Sequence, residues 1–412
     1  MENMKNKLIS KKIYLGMLLA SIFLTLAFAT KAKAYDQKDA IPWSKNSNII
    51  CGYYKNKSAG EVVFLPEESI NIGNRNYNKL DQLLNMKNVS TIIIPKGSKV
   101  LVNGSLKMTS NKTIIATGAT LTFKEGASAV FAAANKSVKN VKIIGGKWRS
   151  AKSGGHTGGF FQFAFAKNIV LDGIDCNANY NGHAIELIAC ENVTVQNCKV
   201  AAIGKNPKDC KEEQIQIDIA TKKTAPMAAR YGAKYAKGQT CKNIYILNNK
   251  ISGARSVGVN WYQGENGKYI NKFHQNIVIK GNTMTSTTSE GLQYFNTIGG
   301  EISGNTIKTN ATRTENNSSY TIGVHVAICG KAPSAMKKST LYIQNNVIRG
   351  NRNGIYVKAY FNQAETKVLS KLGKVYIKNN KVYCKKGKKN AIVQLKNSCT
   401  SFVNSKNKCY NW

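Results

Sequence analysis

Hydrophobic and polar positions alternate in short bursts that recur along the chain. Set one above another, ENVTVQNCKV (191–200), KNIYILNNKI (242–251), QNIVIKGNTM (275–284), TLYIQNNVI (340–348) and KVYIKNNKV (374–382) share one plan. Each has an alternating β-branched stretch, a polar turn of two or three residues, and a second short strand. EISGNTI (301–307) is a shorter copy and KNIVLDGIDC (167–176) a degenerate one. A period of two excludes a helical solenoid.

In this alignment Asn249, Asn282, Asn305, Asn346 and Asn380 share one column, with Cys198 and Ile174 holding the place in earlier copies. Asn tolerates left-handed backbone angles, and its amide can bond the backbone and the next Asn in a stack. The intervals from Asn249 onward are 33, 23, 41 and 34 residues, one coil plus loops of varying length. Propeller blades repeat more evenly. After each turn comes a further strand: AIELIA (184–189), QIQIDIA (214–220), VGVNWY (257–262), GLQYFN (291–296), IGVHVA (322–327), GIYVKAY (354–360) and AIVQLK (391–396). Three short strands per coil predict an all-β fold, a right-handed parallel β-helix with three sheets around a dry core.

Ahead of the coils, Leu80, Leu83 and Leu84 have helical spacing within 78–86, which predicts a helix capping the open N-terminal end. The expected organisation is therefore 1–34 leader, 35–88 N-terminal segment and cap, 89–397 β-helix, and 398–412 C-terminal cap. The leader reads as a signal peptide. Lys5, Lys7, Lys11 and Lys12 precede an apolar run from Ile13 to Ala29, and Ala32-Lys33-Ala34 offers small residues at a cleavage point. No later stretch is apolar enough to span a membrane, so a secreted or cell-wall-associated, monomeric protein without membrane insertion is expected.

The chain carries 60 Lys and Arg against 21 Asp and Glu. Without the leader, 54 basic and 20 acidic residues remain. A field of that sign favours polyanions. In an exported protein that points to acidic polysaccharides or cell-wall polymers and away from nucleic acid. Ten cysteines permit disulfides. Cys190 and Cys241, each two residues before a strand-opening Asn (Asn192, Asn243), should lie side by side on neighbouring coils. The four histidines are scattered, and no metal motif or cofactor is read from the sequence.

TIIIPKGSKVLVNGSLKMTSNKTIIATGATLTF (91–123), KNVKIIGGKWR (139–149) and the coils together resemble the pectate lyase and polygalacturonase superfamily over residues 85–400. The resemblance implies the β-helix and a carbohydrate-directed role, but leaves open lyase, hydrolase, tailspike or adhesin. Polygalacturonases carry Asn-Thr-Asp, an Asp pair, Gly-His-Gly and Arg-Ile-Lys on successive coils. Here those first three places hold Glu212-Glu213-Gln214, Ala254-Arg255-Ser256 and Ser289-Glu290-Gly291. The departure argues against an ordinary polygalacturonase, and the Ca²⁺-binding acid cluster of pectate lyases is not evident.

Alternation along the post-turn strands assigns outward-facing columns. One holds Gln162, Glu186, Gln216, Gly258, Gln293 and Gly323. A second holds Asp218, Asn260, His325 and Lys358, and a third His183, Glu213, Arg255 and Glu290. Any one of these could be a solvated surface residue; gathered on one face they predict a site. Glu213 and Glu290, two coils apart, would have backbones about 9–10 Å apart. That separation suits an inverting hydrolase, with Glu213 the ionised base beside Arg255 and Glu290 an acid of raised pKa. A lyase would instead use His325 or Lys358 as base, with Arg255 neutralising a uronate carboxylate. Asp218 is a further catalytic candidate, and His183, Glu186, Gln216, Arg255, Asn260, Gln293 and Lys358 are expected to bind substrate. The basic loop 221–240 could embrace an acidic chain. The competing reading is a non-catalytic polysaccharide-binding or adhesin-like protein, content with amides and the aromatics Trp261, Tyr262 and Tyr360.

Overall fold

A computed structural model describes residues 35–67, 73–261, 271–312, 319–360 and 370–412. The expected leader and Tyr262 lie outside these residues. Three sheets of 14, 11 and 10 strands run the length of the described molecule. Each strand pairs in parallel with its equivalent one coil away, so the chain visits the three sheets in turn: a parallel β-helix. The 14-stranded sheet starts with an antiparallel section, Ala40–Trp43, Asn46–Asn56 and Glu61–Phe64.

Alternation decides what fills the interior. In the first sheet Ile143, Leu171, Val195, Ile246, Ile279, Ile302, Ile343 and Ile377 stack in one column and are all buried. Each such side chain, fully buried, contributes roughly 1.5–3 kcal/mol. Their polar neighbours in sequence face outward because strand side chains alternate.

The corner between the first and second sheets is the asparagine ladder. The Oδ1 of Asn282 accepts from the Asn249 backbone N–H (2.8 Å) and side-chain amide (3.0 Å). Asn305, Asn346 and Asn380 repeat the pattern, and Asn407 extends it. Asn249, Asn282, Asn305, Asn346 and Asn380 are buried, and the left-handed backbone falls one residue earlier than expected. Asn248, Gly281, Gly304, Asn345 and Asn379 have φ between 55° and 70°. The turn residue bends the chain, so the next Asn can point its amide inward. A second ladder lies on the surface at the other edge of the same sheet. Asn140, Asn168, Asn192, Asn243 and Asn276 each donate to the Asn below, and these residues do have positive φ (51–57°).

Helix α1, Gly73–Asn85, begins earlier than the leucine spacing implies, because Asn76 ties its first turns to the Glu67 and Leu101 backbones. It buries Leu80, Leu83 and Leu84 and packs against Lys99–Val102 and Leu106–Lys107, the first strands of the second and third sheets. The residues of the expected C-terminal cap continue two of the sheets. Cys399–Ser405 and Lys408–Asn411 pair in parallel with Leu372–Lys378 and Lys381–Cys384 and form a further partial coil. All ten cysteines are free thiols. Cys190 and Cys241 do adjoin, the Cys190 N–H lying 3.3 Å from the Cys241 Sγ.

Candidate functional site

The third sheet positions the predicted residues. Its strands are β1 Leu106–Lys107, β2 Val130–Ala132, β3 Gly159–Ala164, β4 His183–Ile188, β5 Glu213–Asp218, β6 Arg255–Val259, β7 Leu292–Phe295, β8 Val324–Cys329, β9 Ile355–Tyr360 and β10 Ile392–Gln394. Ile185, Ile215, Val257, Leu292, Val324 and Ile355 point inward in one stack, which turns the intervening side chains to the outer face.

Register confirms the third column and corrects the other two. Glu213 pairs with Arg255, and the neighbouring pairs put His183 beside Glu213 and Glu290 beside Arg255. Gln162, Glu186, Gln216, Gly258 and Gln293 also stack as expected. The next place above Gln293 belongs to His325, not Gly323. The Asp218 column therefore runs through Asn260, Phe295 and Ala327 to Lys358, without His325. The slip is two residues along β8. A period-2 pattern leaves inside and outside unchanged by such a slip, so alternation alone could not detect it.

A cleft of about 540 Å³ opens over β4–β8. Of the expected residues, His183, Glu213, Gln216, Asp218, Arg255, Asn260, Glu290, Gln293 and His325 line it; Glu186 and Lys358 do not. Glu186 instead accepts from the Gln162 amide, and the Lys358 ammonium sits 5.1 Å from the Tyr356 ring centre. The lining also includes Lys211, Glu212, Lys223, Thr224, Trp261, Phe295 and Tyr320. Glu212 was signalled by its place beside Glu213, and Lys223 by the basic loop. Lys211 and Tyr320 sit off the strands, where no periodicity marks them; the Lys211 ammonium lies 4.5 Å over the Tyr320 ring. A second hollow of about 500 Å³, between α1 and Tyr231, contains none of the expected site residues.

Arg255, buried, is the centre of the cleft floor. Its guanidinium donates to Glu213 on one side and to Glu290 on the other, with Nε 3.1 Å and Nη2 2.7 Å from Glu290 Oε2. The Ser289 hydroxyl also donates to that oxygen, at 2.7 Å. Burial would raise the pKa of Glu290, but Arg255 and the His325 hydrogen bond outweigh it and hold the carboxyl well below the usual range. Glu290 is thus an ionised group, contrary to the raised pKa its role as acid requires. The carboxyls that burial does raise are Asp218, well above its ordinary value against an opposing hydrogen bond from the Ile219 N–H, and Glu212, where the neighbouring Glu213 adds to the effect.

Burial lowers the pKa of His325 to about 4, despite its bond to Glu290. Its neutral ring can donate Nδ1–H toward Glu290 Oε1 at 3.2 Å. Nε2 is buried and has no partner among the described residues. The ring also makes an edge contact with Phe295 (4.8 Å), which stacks on Trp261 (4.4 Å), forming an aromatic wall. At the other rim, burial opposes the charge on His183, but Glu213, Glu186 and Glu212 raise its pKa. Ligand-capable atoms of His183, Glu212 and Glu213 lie within 4.8 Å of one another.

The fold and cleft define a class: a parallel β-helix with a polar and aromatic groove on one sheet. No protein-family model matches the chain. Over 145 residues it is 26% identical to Plasmin and fibronectin-binding protein A of Streptococcus pneumoniae, covering 32% of this chain. The match spans only 20% of that protein's length. Its backbone is similar to that of PfbA, a surface adhesin of Streptococcus pneumoniae (TM-score 0.45, 15% identity, 82% of this chain and 86% of the other). The tailspike protein of E. coli bacteriophage HK620 in complex with pentasaccharide aligns with TM-score 0.47 and 11% identity, over 95% and 73% of the two chains. An endo-xylogalacturonan hydrolase from Aspergillus tubingensis aligns with TM-score 0.35 and 12% identity, over 76% and 92%.

Proposed function

We propose that this protein is a polysaccharide-binding, adhesin-like protein acting at the bacterial surface, whose cleft takes a stretch of sugar chain. The observation that carries this reading is the single arginine shared by Glu213 and Glu290. Both carboxylates are held in the cleft floor by one buried cation, and Glu290 is kept ionised. Glu290 therefore lacks the proton that the acid of a glycoside cleavage needs. What remains facing a ligand suits sugar recognition: the amides of Gln216, Gln293 and Asn260, and the Trp261–Phe295 stack. Such flat apolar faces with a few convergent polar groups recur in ligand clefts.

The cleft does not share the sign of the exterior. Glu212, Glu213 and Glu290 stand there against Arg255, Lys211 and Lys223, while the whole chain is strongly basic. An uncharged stretch of saccharide suits the cleft. The acidic polysaccharide or cell-wall polymer expected from net charge suits the basic surface outside it. The sequence similarity to a plasmin and fibronectin-binding protein supports a surface role.

A panel of neutral and acidic polysaccharides, read for binding and for product together, tests this. Binding without new reducing ends or unsaturated uronates, weakened about tenfold in Trp261→Ala, is expected; that factor is about 1.4 kcal/mol, within reach of one aromatic contact. Product formation by wild type that Glu213→Gln abolishes would overturn it. One observation favours a hydrolase as the second reading: Asp218, on the cleft wall with its pKa raised, has the proton a general acid needs. That reading requires product formation lost in Asp218→Asn.

A further inference from the structure

We infer that the rim of the cleft is a binding site for one divalent transition-metal ion of the zinc class, held by His183, Glu212 and Glu213. This stands independently of the glycan reading. The three residues come from two adjacent coils: His183 opens β4, Glu213 opens β5 in register beside it, and Glu212 precedes Glu213. Paired strands hold His183 and Glu213, so the site does not depend on a free loop.

The imidazole is oriented as metal-binding histidines are. Nδ1 lies 2.7 Å from the backbone carbonyl of Glu213. A carbonyl oxygen only accepts, so Nδ1 carries the hydrogen and Nε2 is the nitrogen left for a ligand. A metal-bound His typically donates its other N–H to such a carbonyl or carboxylate. Nε2 faces Glu212 Oε2 at 3.6 Å, beyond hydrogen-bonding distance. Two ligands each about 2.0–2.2 Å from a tetrahedral Zn²⁺ sit roughly 3.3–3.6 Å apart, so that gap fits a shared ion. One ligand-capable atom each of His183, Glu212 and Glu213 lies within 4.8 Å of the others, so bringing a Glu213 carboxylate oxygen in as third ligand needs a small closure.

Charge and surroundings agree with this assignment. Arg255 engages Glu213 through Oε1, and its charge is shared with Glu290, so Oε2 remains on the His183 side, 3.9 Å from Nδ1, and turns toward Nε2 when the ion binds. One imidazole nitrogen and two carboxylates select a borderline ion such as Zn²⁺ or Co²⁺ over Ca²⁺, which takes all-oxygen sets. Three protein ligands leave a coordination position open. The site lies in the lining of the cleft, so that position can accept water or a sugar oxygen. A separate observation points to a missing partner nearby. Gln216, on the same strand as Glu213 and in the same cleft, buries its Oε1 with no hydrogen-bond partner among the described residues.

The test uses the full protein, stripped with chelator and titrated with Co²⁺, followed by calorimetry with Zn²⁺ and Ca²⁺. One equivalent of Co²⁺ should bind without the near-ultraviolet thiolate-to-cobalt band, which separates this site from the ten free cysteines. His183→Ala and Glu212→Ala, each checked by thermal melt, should weaken Zn²⁺ at least tenfold, and Ca²⁺ should bind far more weakly than Zn²⁺. No saturable binding, a thiolate band, or unchanged affinity in both folded variants would overturn the assignment. If both variants fail to fold, Glu212→Gln serves instead: it keeps the shape, and unchanged Zn²⁺ affinity in it equally refutes the site.

Discussion

Replacing Asn282 by Ala tests the structural argument most directly, because two asparagine ladders of different character flank the same strand. The Asn282 side chain is buried and makes five hydrogen bonds: two accepted from Asn249, and three donated, to Ile246 O, Lys280 O and Asn305 Oδ1. Truncation orphans one buried backbone group outright, the Asn249 N–H; the Ile246 carbonyl loses a side-chain donor but lies on a strand paired with His274–Lys280. Asn249 Nδ2 keeps its bond to Val195 O, and Asn305 Oδ1 keeps the Asn282 N–H. At about 1–3 kcal/mol for an unsatisfied buried group, the expected loss is about 1–3 kcal/mol. Asn276 is the control: its amide donates to Asn243 on the exposed ladder, and its φ is 51°. Asn276→Gly keeps that backbone and removes only exposed bonds, to Asn243 and to the Tyr245 hydroxyl, so it should cost no more than about 0.5–1 kcal/mol. Urea midpoints followed by tryptophan fluorescence and far-ultraviolet circular dichroism provide the comparison. Equal shifts for the two variants, or an Asn282→Ala shift worth less than about 1 kcal/mol, would refute the claim that the inner ladder bears on stability.

Arg255→Leu leaves two buried carboxylates without a cation and should destabilise by about 3–5 kcal/mol at neutral pH. Because Arg255 depresses the pKa of Glu290, wild-type stability from this pair is present above the unfolded carboxylate value and lost as pH falls toward the depressed one. The gap between variant and wild type should therefore narrow in acid; a gap constant from pH 7 to 3 contradicts the pairing. His274 and His325 both have pKa values lowered to about 4, chiefly by burial, so their contribution holds above about 6.5 and is lost as pH falls from there to 4. Urea midpoints should drop across that window, and less in His325→Gln; identical pH profiles would count against the buried neutral imidazole. Native protein should react with a thiol reagent at Cys409, which is partly exposed, and slowly elsewhere, because burial raises thiols such as Cys190 to about 12. Rapid reaction of several thiols before unfolding would contradict the packing.

The coil plan was legible in the chain because its cause is local and repeated. Period-2 alternation sets which side chain faces the core, and the recurrent Asn marks the corner, so the three sheets and the ladder through Asn249 and Asn380 follow from spacing. Even there the backbone assigns the left-handed angle to Asn248 and its equivalents, because bending and amide bonding are done by two adjacent residues. Much of the cleft was legible for the same reason: His183, Glu213, Arg255 and Glu290 share a register position. What spacing leaves undetermined is a shift of two residues, which preserves every inside and outside assignment; only strand pairing put His325 above Gln293. Electrostatics was equally out of reach. That Glu290 stays ionised depends on one buried guanidinium reaching both it and Glu213, while burial pushes up the carboxyls of Asp218 and Glu212. The meeting of His183 Nε2 with Glu212 likewise depends on which ring nitrogen finds a carbonyl. Such distances of a few ångströms between residues 29 to 42 positions apart are set by how coils stack, and tertiary structure alone decides them.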